Sequence, residues 1–293
     1  MLGIALIKQC IANNVRVIAL VRQGTQRLDR LPDSKLITVI YCDLENLGNV
    51  IIDEKQIDVF YHIGWAFTDK TGRMSPDLQE LNIRYTLDAV HLAKKLGCKR
   101  FIGTGSQAEY GRVNSVIKPD TPVNPDISYG IAKYAAGKLS RFECEILGIE
   151  HIWVRVFSVY GINDNNGTLL NSFISKVKQN KPMALTKCEQ IWDYLYEDDA
   201  GNALFLLGSK GISGKVYCLG SGKGKPLIEY LEIIKKVLNP GYNLVVGELP
   251  YGSMQVMHLC ADISELSNDT GWKPVISFEE GIRKIVQTEF LFK

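Results

Sequence analysis

The sequence predicts an α/β protein, a doubly wound parallel sheet with a smaller C-terminal unit beside it, and three observations carry that prediction. Short runs rich in branched apolar residues alternate with longer stretches of helical periodicity through the first half of the chain. The 293 residues are 46% hydrophobic and 23% charged, enough for a full core without disulfide support. At roughly 150 residues per domain the length accommodates two units. A change of rhythm near residue 160 divides it into 1–160 and 161–293.

A helix comes first: Leu2, Leu6, Ile7, Cys10 and Ile11 recur at helical spacing until Asn13-Asn14 stop the pattern. Val15–Val21, Leu36–Tyr41 and Val59–Ile63 are short apolar runs bounded by polar or glycine-containing segments, which makes them buried strands. Helices are expected near 44–56, 76–97 and 127–148, with strands near 99–104 and 151–157. Helix-length connections between strands make the sheet parallel and cover both of its faces. Beyond residue 160 the pattern is more broken, with helices near 168–179, 198–208 and 226–238 and short strands near 182–186, 193–196 and 215–219. Gly211, Gly214, Gly220, Gly222 and Gly224 make 211–225 loop-rich, and some of these later segments return to the sheet.

Charge and composition exclude several classes of partner. Lys plus Arg is 34 against 32 for Asp plus Glu, so the excess of positive charge that a phosphate backbone requires is missing and no nucleic acid is expected. Seven scattered cysteines without a C-x-x-C pair read as reduced thiols of a cytoplasmic protein. His62, His91, His151 and His258 have no metal-ligand spacing, and no metal is expected. Asp193, Asp198 and Asp199 could be imagined as metal ligands, yet Asp198-Asp199 precede an alanine-rich helix and fit helix-capping roles, so no metal is expected there either. Lys8 interrupts the apolar opening, no small-residue cleavage site follows, and no apolar run reaches membrane-spanning length. Gly220-Ser221-Gly222-Lys223-Gly224-Lys225 lacks the earlier glycine of a phosphate loop and reads as a strand-to-helix turn.

Chemistry is expected from Tyr129 and Lys133, four residues apart at the start of a helix introduced by Pro125 and Asp126, so that both can project from one face. An ammonium beside a phenol favours the phenolate, which suits Tyr129 to acid–base work near neutral pH. The spacing recurs at Tyr134 and Lys138, but Tyr134 lies inside the helix, about 140° around from Tyr129, where packing accounts for it. Upstream, Lys99–Ser106 reads as a strand ending in small residues and a hydroxyl, at the sheet edge where ligands of parallel sheets bind. Ser106 can meet Tyr129 there across a substrate.

Ordered strings make the reading specific. They are Tyr61-His62-Ile63-Gly64, Asn82, Gly105-Ser106-Gln107-Ala108-Glu109-Tyr110-Gly111, Tyr129-Gly130-Ile131-Ala132-Lys133, Arg155–Gly161, Trp192–Asp199 and Leu219-Gly220-Ser221-Gly222. Over nearly its whole length the chain resembles the extended short-chain dehydrogenases/reductases of the NAD-dependent epimerase/dehydratase family, which act mostly on nucleotide sugars. The resemblance implies a Rossmann-like sheet with a C-terminal substrate-binding cap. It also implies a hydride passing between a sugar carbon and a nicotinamide. In that scheme Tyr129 moves the hydroxyl proton, Lys133 tunes it and holds the ribose, and Ser106 orients the substrate oxygen. Gly3, Arg22, Asp43, Leu44, Ile63 and Asn82 would contact the cofactor, and Gln107, Ser158 and Trp192 the substrate. Asp43 matches the family's adenine contact and is equally placed as a helix cap. Arg22 stands where an acidic residue would hold an NAD ribose and suits a 2'-phosphate instead, favouring NADP over NAD with Arg27 as helper. A homodimer through the helices near 76–97 and 127–148 follows from the same resemblance.

Several positions depart from the family pattern. Only Gly3 answers to its glycine-rich turn, and no strand precedes it, which weakens both the sheet and the pyrophosphate site. A truncated chain, a misassigned start and a degenerate homologue each explain that opening. Gln107 and Ala108 replace the Asp-Glu pair of sugar 4,6-dehydratases, with Glu109 one place too late, so dehydration is disfavoured. Trp192 replaces an arginine for the substrate diphosphate, and Ser158 an asparagine. The expectation is therefore a nucleotide-sugar epimerase or 4-keto reductase using NADP or NAD. Its rival is a non-catalytic remnant or sensor on the same fold.

Overall fold

A computed structural model describes residues 1–25, 27–54, 56–164 and 167–291. Its first element is helix α1 (Leu2–Ala12), which buries Ala5, Leu6 and Cys10 and ends at Asn13, with Asn14 in the left-handed region. Strand β1 (Val17–Val21) then pairs in parallel with β2 (Ile37–Tyr41), Val17 opposite Ile37 and Val21 opposite Tyr41. A second parallel sheet joins β3 (Val59–His62), β4 (Arg100–Ser106), β5 (Glu150–Val156) and β9 (Val216–Leu219) in the order β3-β4-β5-β9. Helices α2 (Pro76–Lys95) and α3 (Ser128–Leu147) make the crossovers on one face. On the other face lie α1 and α5 (Glu197–Lys210).

The two sheets share both helical layers. Val17 of β1 packs with Val59 and Tyr61 of β3 into the cluster under α1 and α5. Leu20 of β1 and Phe60 of β3 share the cluster under α2 and α3. Among the described residues no ladder joins β1 to β3, so the sheet is split at this point. Alternation explains the rest of the core: Phe101 faces α2 and α3, while Ile102 faces α1 and α5. Phe60, Phe101, His151 and Trp153 form a row of stacked rings across β3, β4 and β5. The Trp153 indole lies so close over Gly103, Gly105 and Gly137 that a side chain at any of the three would displace it.

After β6 (Ser158–Tyr160) the chain builds a second core from α4 (Leu169–Lys178), α6 (Leu227–Leu238) and α8 (Phe278–Leu291), with β8 (Tyr194–Tyr196) paired to β6. Strands β7 (Ile191–Trp192) and β10 (Lys225–Pro226) pair antiparallel, and α7 (Ser264–Thr270) packs by Leu266 beneath α5, joined there by Trp272 just beyond its end. Both α5 and β9 return to the sheet. Two sequence expectations change. The helix near 44–56 is a 3-10 helix over Leu44–Asn49, because Gly48-Asn49 and the branched residues 50–52 resist continuation. Residues 182–186 form no strand; Leu185 and Thr186 offer carbonyls to the irregular segment at Leu249 and Gly247. Helices α7 and α8 lie beyond the reach of the sequence reading. No helix among the described residues is long and apolar enough to cross a membrane.

Candidate active site

The carboxyl end of β4 sets the site. Ser106 is the last strand residue and caps the 3-10 helix Gln107–Tyr110, its hydroxyl accepting from the Ala108 N–H at 3.2 Å. Glu109 closes the reciprocal half of this capping box by accepting from the Ser106 N–H at 2.9 Å. Because Gly130 has no side chain, the first turn of α3 rests directly on the Ala108 carbonyl. That contact brings Tyr129, the second residue of α3, to Ser106. Burial pushes the Tyr129 phenol above its ordinary pKa; the Ser106 hydroxyl, by hydrogen bonding, and then the Arg73 guanidinium act in the opposite direction.

Lys133 shares this face of α3 but differs from the sequence expectation. Its ammonium donates to the Thr104 carbonyl at 2.6 Å, lies 3.7 Å over the Trp65 ring and stands 6.0 Å from the centre of the Tyr129 ring. The cation seated on the Tyr129 ring is instead Arg73, 4.2 Å from its centre. Burial lowers the Lys133 pKa from 10.5 to about 7, with Glu109 opposing the fall. Between pH 7 and 10.5 the folded protein therefore binds fewer protons at Lys133 than the unfolded chain does, and stability rises with pH across that window. The slope from this residue is at most about 1.4 kcal/mol per pH unit. Lys133→Met is expected to remove that rise, which urea denaturation of the two proteins at pH 7 and pH 9 would reveal.

Trp65 and Arg73 carried no signal in the sequence. Their loop is tied down by α2: the Asn82 side chain holds both the N–H and the carbonyl of Ala66. The Gln79 amide accepts from the Trp65 indole at 2.9 Å and donates to the carbonyls of Phe67 and Gly72. Asn82, expected to touch a cofactor, thus has its amide engaged by the loop that covers Lys133. Thr86, one turn on, meets the buried His62, whose pKa burial lowers to about 3.

The remaining expected residues fall into two groups. Arg22, Asp43, Leu44 and Ile63 line the carboxyl ends of β1, β2 and β3, with Gly3 on the first turn of α1. Arg22 is exposed, and no ion pair holds it among the described residues. Asp43 makes no side-chain cap for the 3-10 helix it precedes; its carboxylate accepts from the Gln23 N–H at 3.2 Å, so the capping alternative is not realised. Leu44 lies against Gly64. Gln107 begins the 3-10 helix after Ser106, half-buried Ser158 opens β6, and half-buried Trp192 ends β7, its carbonyl accepting from Tyr230 at 2.9 Å. Glu109 points away from the site into a buried pair with Arg155 at 2.7 Å and accepts from the Trp153 indole at 3.0 Å. Lys138 is exposed and lies 5.7 Å over Tyr134, so that pair forms no part of the site.

The aspartates also differ from expectation. Neither Asp198 nor Asp199 caps α5 through its side chain. Asp199 accepts from the Val275 and Ile276 N–H groups, and Asp193 from the N–H groups of Ser221, Gly222 and Ala261, fixing the turn after β9.

Comparison with known proteins accords with this geometry. The family model described as the NAD dependent epimerase/dehydratase family matches residues 1–220. A protein of Methanocaldococcus jannaschii named as a putative UDP-glucose 4-epimerase is 25% identical over 97% of this chain and 94% of its own length. Among solved structures, the UDP-glucose 4-epimerase of Thermotoga maritima with UDP-glucose superposes with a TM-score of 0.88 at 20% identity, covering 100% of this chain and 97% of that one. The UDP-glucose 4-epimerase of Thermus thermophilus in complex with NAD gives 0.84 at 20% identity, covering 98% and 95%. The last two likenesses establish the fold.

Proposed function

This chain belongs to the NAD dependent epimerase/dehydratase family, and on that footing we propose that it is a nucleotide-sugar epimerase working through Ser106, Tyr129 and Lys133. The observation that carries the reading is the docking of α3 on the end of β4, which gathers these three side chains at one sheet edge. Tyr129 takes or returns the sugar hydroxyl proton. Ser106 uses one lone pair on the Ala108 N–H and keeps its own proton for the phenol or the substrate oxygen. Glu109, committed to Arg155 and Trp153, is not free to serve as the base for elimination of water. UDP-sugars are the first substrates to test, by analogy with the named relative.

A nicotinamide dinucleotide fits the residues present. Arg22 and Asp43 would hold its adenosine end, Gly3 leaves open space at the first turn of α1, and Tyr129 would meet its nicotinamide ribose, which Lys133 would reach by leaving the Thr104 carbonyl and the Trp65 ring. When bound, the nicotinamide accepts and returns the hydride. The unpaired Arg22 favours a second reading, a 4-keto reductase using NADPH. Thermal shifts with NADH and NADPH, each at about a hundredfold excess over Kd where the expected gain is ~2.7 kcal/mol, decide between cofactors. A shift with NADPH that Arg22→Ala abolishes, together with steady NADPH oxidation by a 4-keto sugar nucleotide, would replace epimerase by reductase. No shift with either cofactor would leave the non-catalytic reading.

The same proposal includes a homodimer. Helix α3 packs beside α2 yet leaves Leu139, Phe142 and Ile146 exposed in one stripe at helical spacing. Light scattering at micromolar concentration is expected to give twice the chain mass; a monomer would remove the dimer from the reading.

A further inference from the structure

Arg73 is a fixed cation lacking a carboxylate partner among the described residues, and it is placed against the phenol that the proposed reaction uses. Its guanidinium lies over the Tyr129 ring, and its N–H donates to the Asp69 carbonyl at 3.0 Å. The loop around it is held by Gln79 and Asn82 and by Ser128, whose hydroxyl donates to the Met74 carbonyl at 3.0 Å. The Asp69 carboxylate within this loop is already engaged, accepting from the N–H groups of Thr71 and Gly72. The Arg73 charge bears on Tyr129, and the cation that shares this face of α3, Lys133, is already held by the Thr104 carbonyl and the Trp65 ring. The nearby carboxylate, Glu109, is fully buried and paired with Arg155. A guanidinium without a carboxylate partner among the described residues therefore stands beside Tyr129, where the proposed reaction places the sugar carbon, and a half-buried guanidinium is stabilised by a planar bidentate anion.

The geometry points to Arg73 as a binding residue for a carboxylate on the sugar ring beside the reacting carbon, so that the substrate is a nucleotide-linked uronic acid. This rests on the epimerase reading and narrows it. The diphosphate of a sugar nucleotide leaves from the opposite side of the ring from a reacting C4. The group within reach of a guanidinium stacked on Tyr129 is instead the substituent on the carbon next to the one oxidised. A carboxylate there also meets the bidentate preference of Arg, which a hydroxymethyl group does not.

The test is isothermal titration of the NAD-saturated protein with UDP-glucuronate and UDP-glucose, a pair differing only in that carboxylate. It is run on the wild type, Arg73→Gln and Arg73→Lys, with thermal unfolding to confirm that each variant is folded. The wild type is expected to bind UDP-glucuronate at least tenfold more tightly, Arg73→Gln to erase that preference while leaving UDP-glucose unchanged, and Arg73→Lys to restore part of it. Equal weakening of both ligands would assign Arg73 to the diphosphate and overturn the inference. So would wild-type binding without preference, or an Arg73→Gln protein that keeps the preference; in these cases the epimerase reading stands. Failure of both ligands to bind a protein that does bind NAD would remove the UDP-sugar epimerase reading itself, and this inference with it.

Discussion

Replacing Tyr129 by Phe is expected to lower kcat by about 10²- to 10⁴-fold, the range for loss of a positioned acid–base group, while KM changes little. The phenyl ring alone supports Arg73 and the edge contact with Trp65, so the site keeps its shape and only the proton carrier is lost. Turnover of the sugar nucleotide that binds in calorimetry, measured for both proteins across pH 6 to 9, is the check. A variant retaining wild-type turnover would move the proton transfer to another group. A large rise in KM with unchanged kcat would make Tyr129 a binding residue only.

Glu109→Ala is expected to be the most destabilising single truncation near the site, by about 3–5 kcal/mol, because it leaves the Arg155 charge buried without its partner. The exposures of the two side chains, 5% for Arg155 and 0% for Glu109, make solvation of the orphaned guanidinium negligible. Two further donors, the Ser106 N–H and the Trp153 indole, lose their acceptor in the same change. Urea denaturation reads the loss directly. Glu109→Gln can keep the one oxygen that both of those donors share but loses the charge and the oxygen that accepts from Arg155, and is expected to fall between the two proteins. Equal midpoints for wild type and Glu109→Ala would show that Arg155 finds water or another anion.

Those two expectations draw on unequal amounts of sequence information. The approach of Tyr129 to the end of the Ser106 strand was legible because, in a parallel sheet, a strand ending in small residues and the first turn of the helix that follows it both lie at the carboxyl edge. The role of Glu109 was half legible: its offset from the dehydratase position removed one function, but its pairing with Arg155 is a contact between residues 46 apart. Trp65 and Arg73 were invisible, since neither belongs to a periodic pattern. Their approach to Tyr129 depends on how Gln79 and Asn82 fold the loop back on α2. The same limit applies to Lys133. Spacing placed it on the face of Tyr129, yet the Thr104 carbonyl and the Trp65 ring, both distant in sequence, decide where its charge rests. The 3-10 helix at Leu44–Asn49 shows the reverse case, where Gly48 and the branched residues after it were in plain view and helical periodicity outweighed them.

The split between β1 and β3 bears on how a long ligand would be held. Arg22 and Asp43 belong to the two-stranded part, whereas Ser106, Tyr129 and Lys133 belong to the four-stranded part, and among the described residues side-chain packing and the Arg30 hydrogen bond to the Asn163 carbonyl register one against the other without a backbone ladder. Backbone ladders fix spacing far more stiffly than such packing does, so the two halves of the binding surface are aligned by the ligand itself. A dinucleotide held as proposed is therefore expected to bind with part of its affinity offset by the freedom lost on alignment, a cost that each half of it, offered alone, escapes. A molecule long enough to bridge both parts acts as a splint, giving the protein a rigidity across the gap that its own hydrogen bonds do not supply.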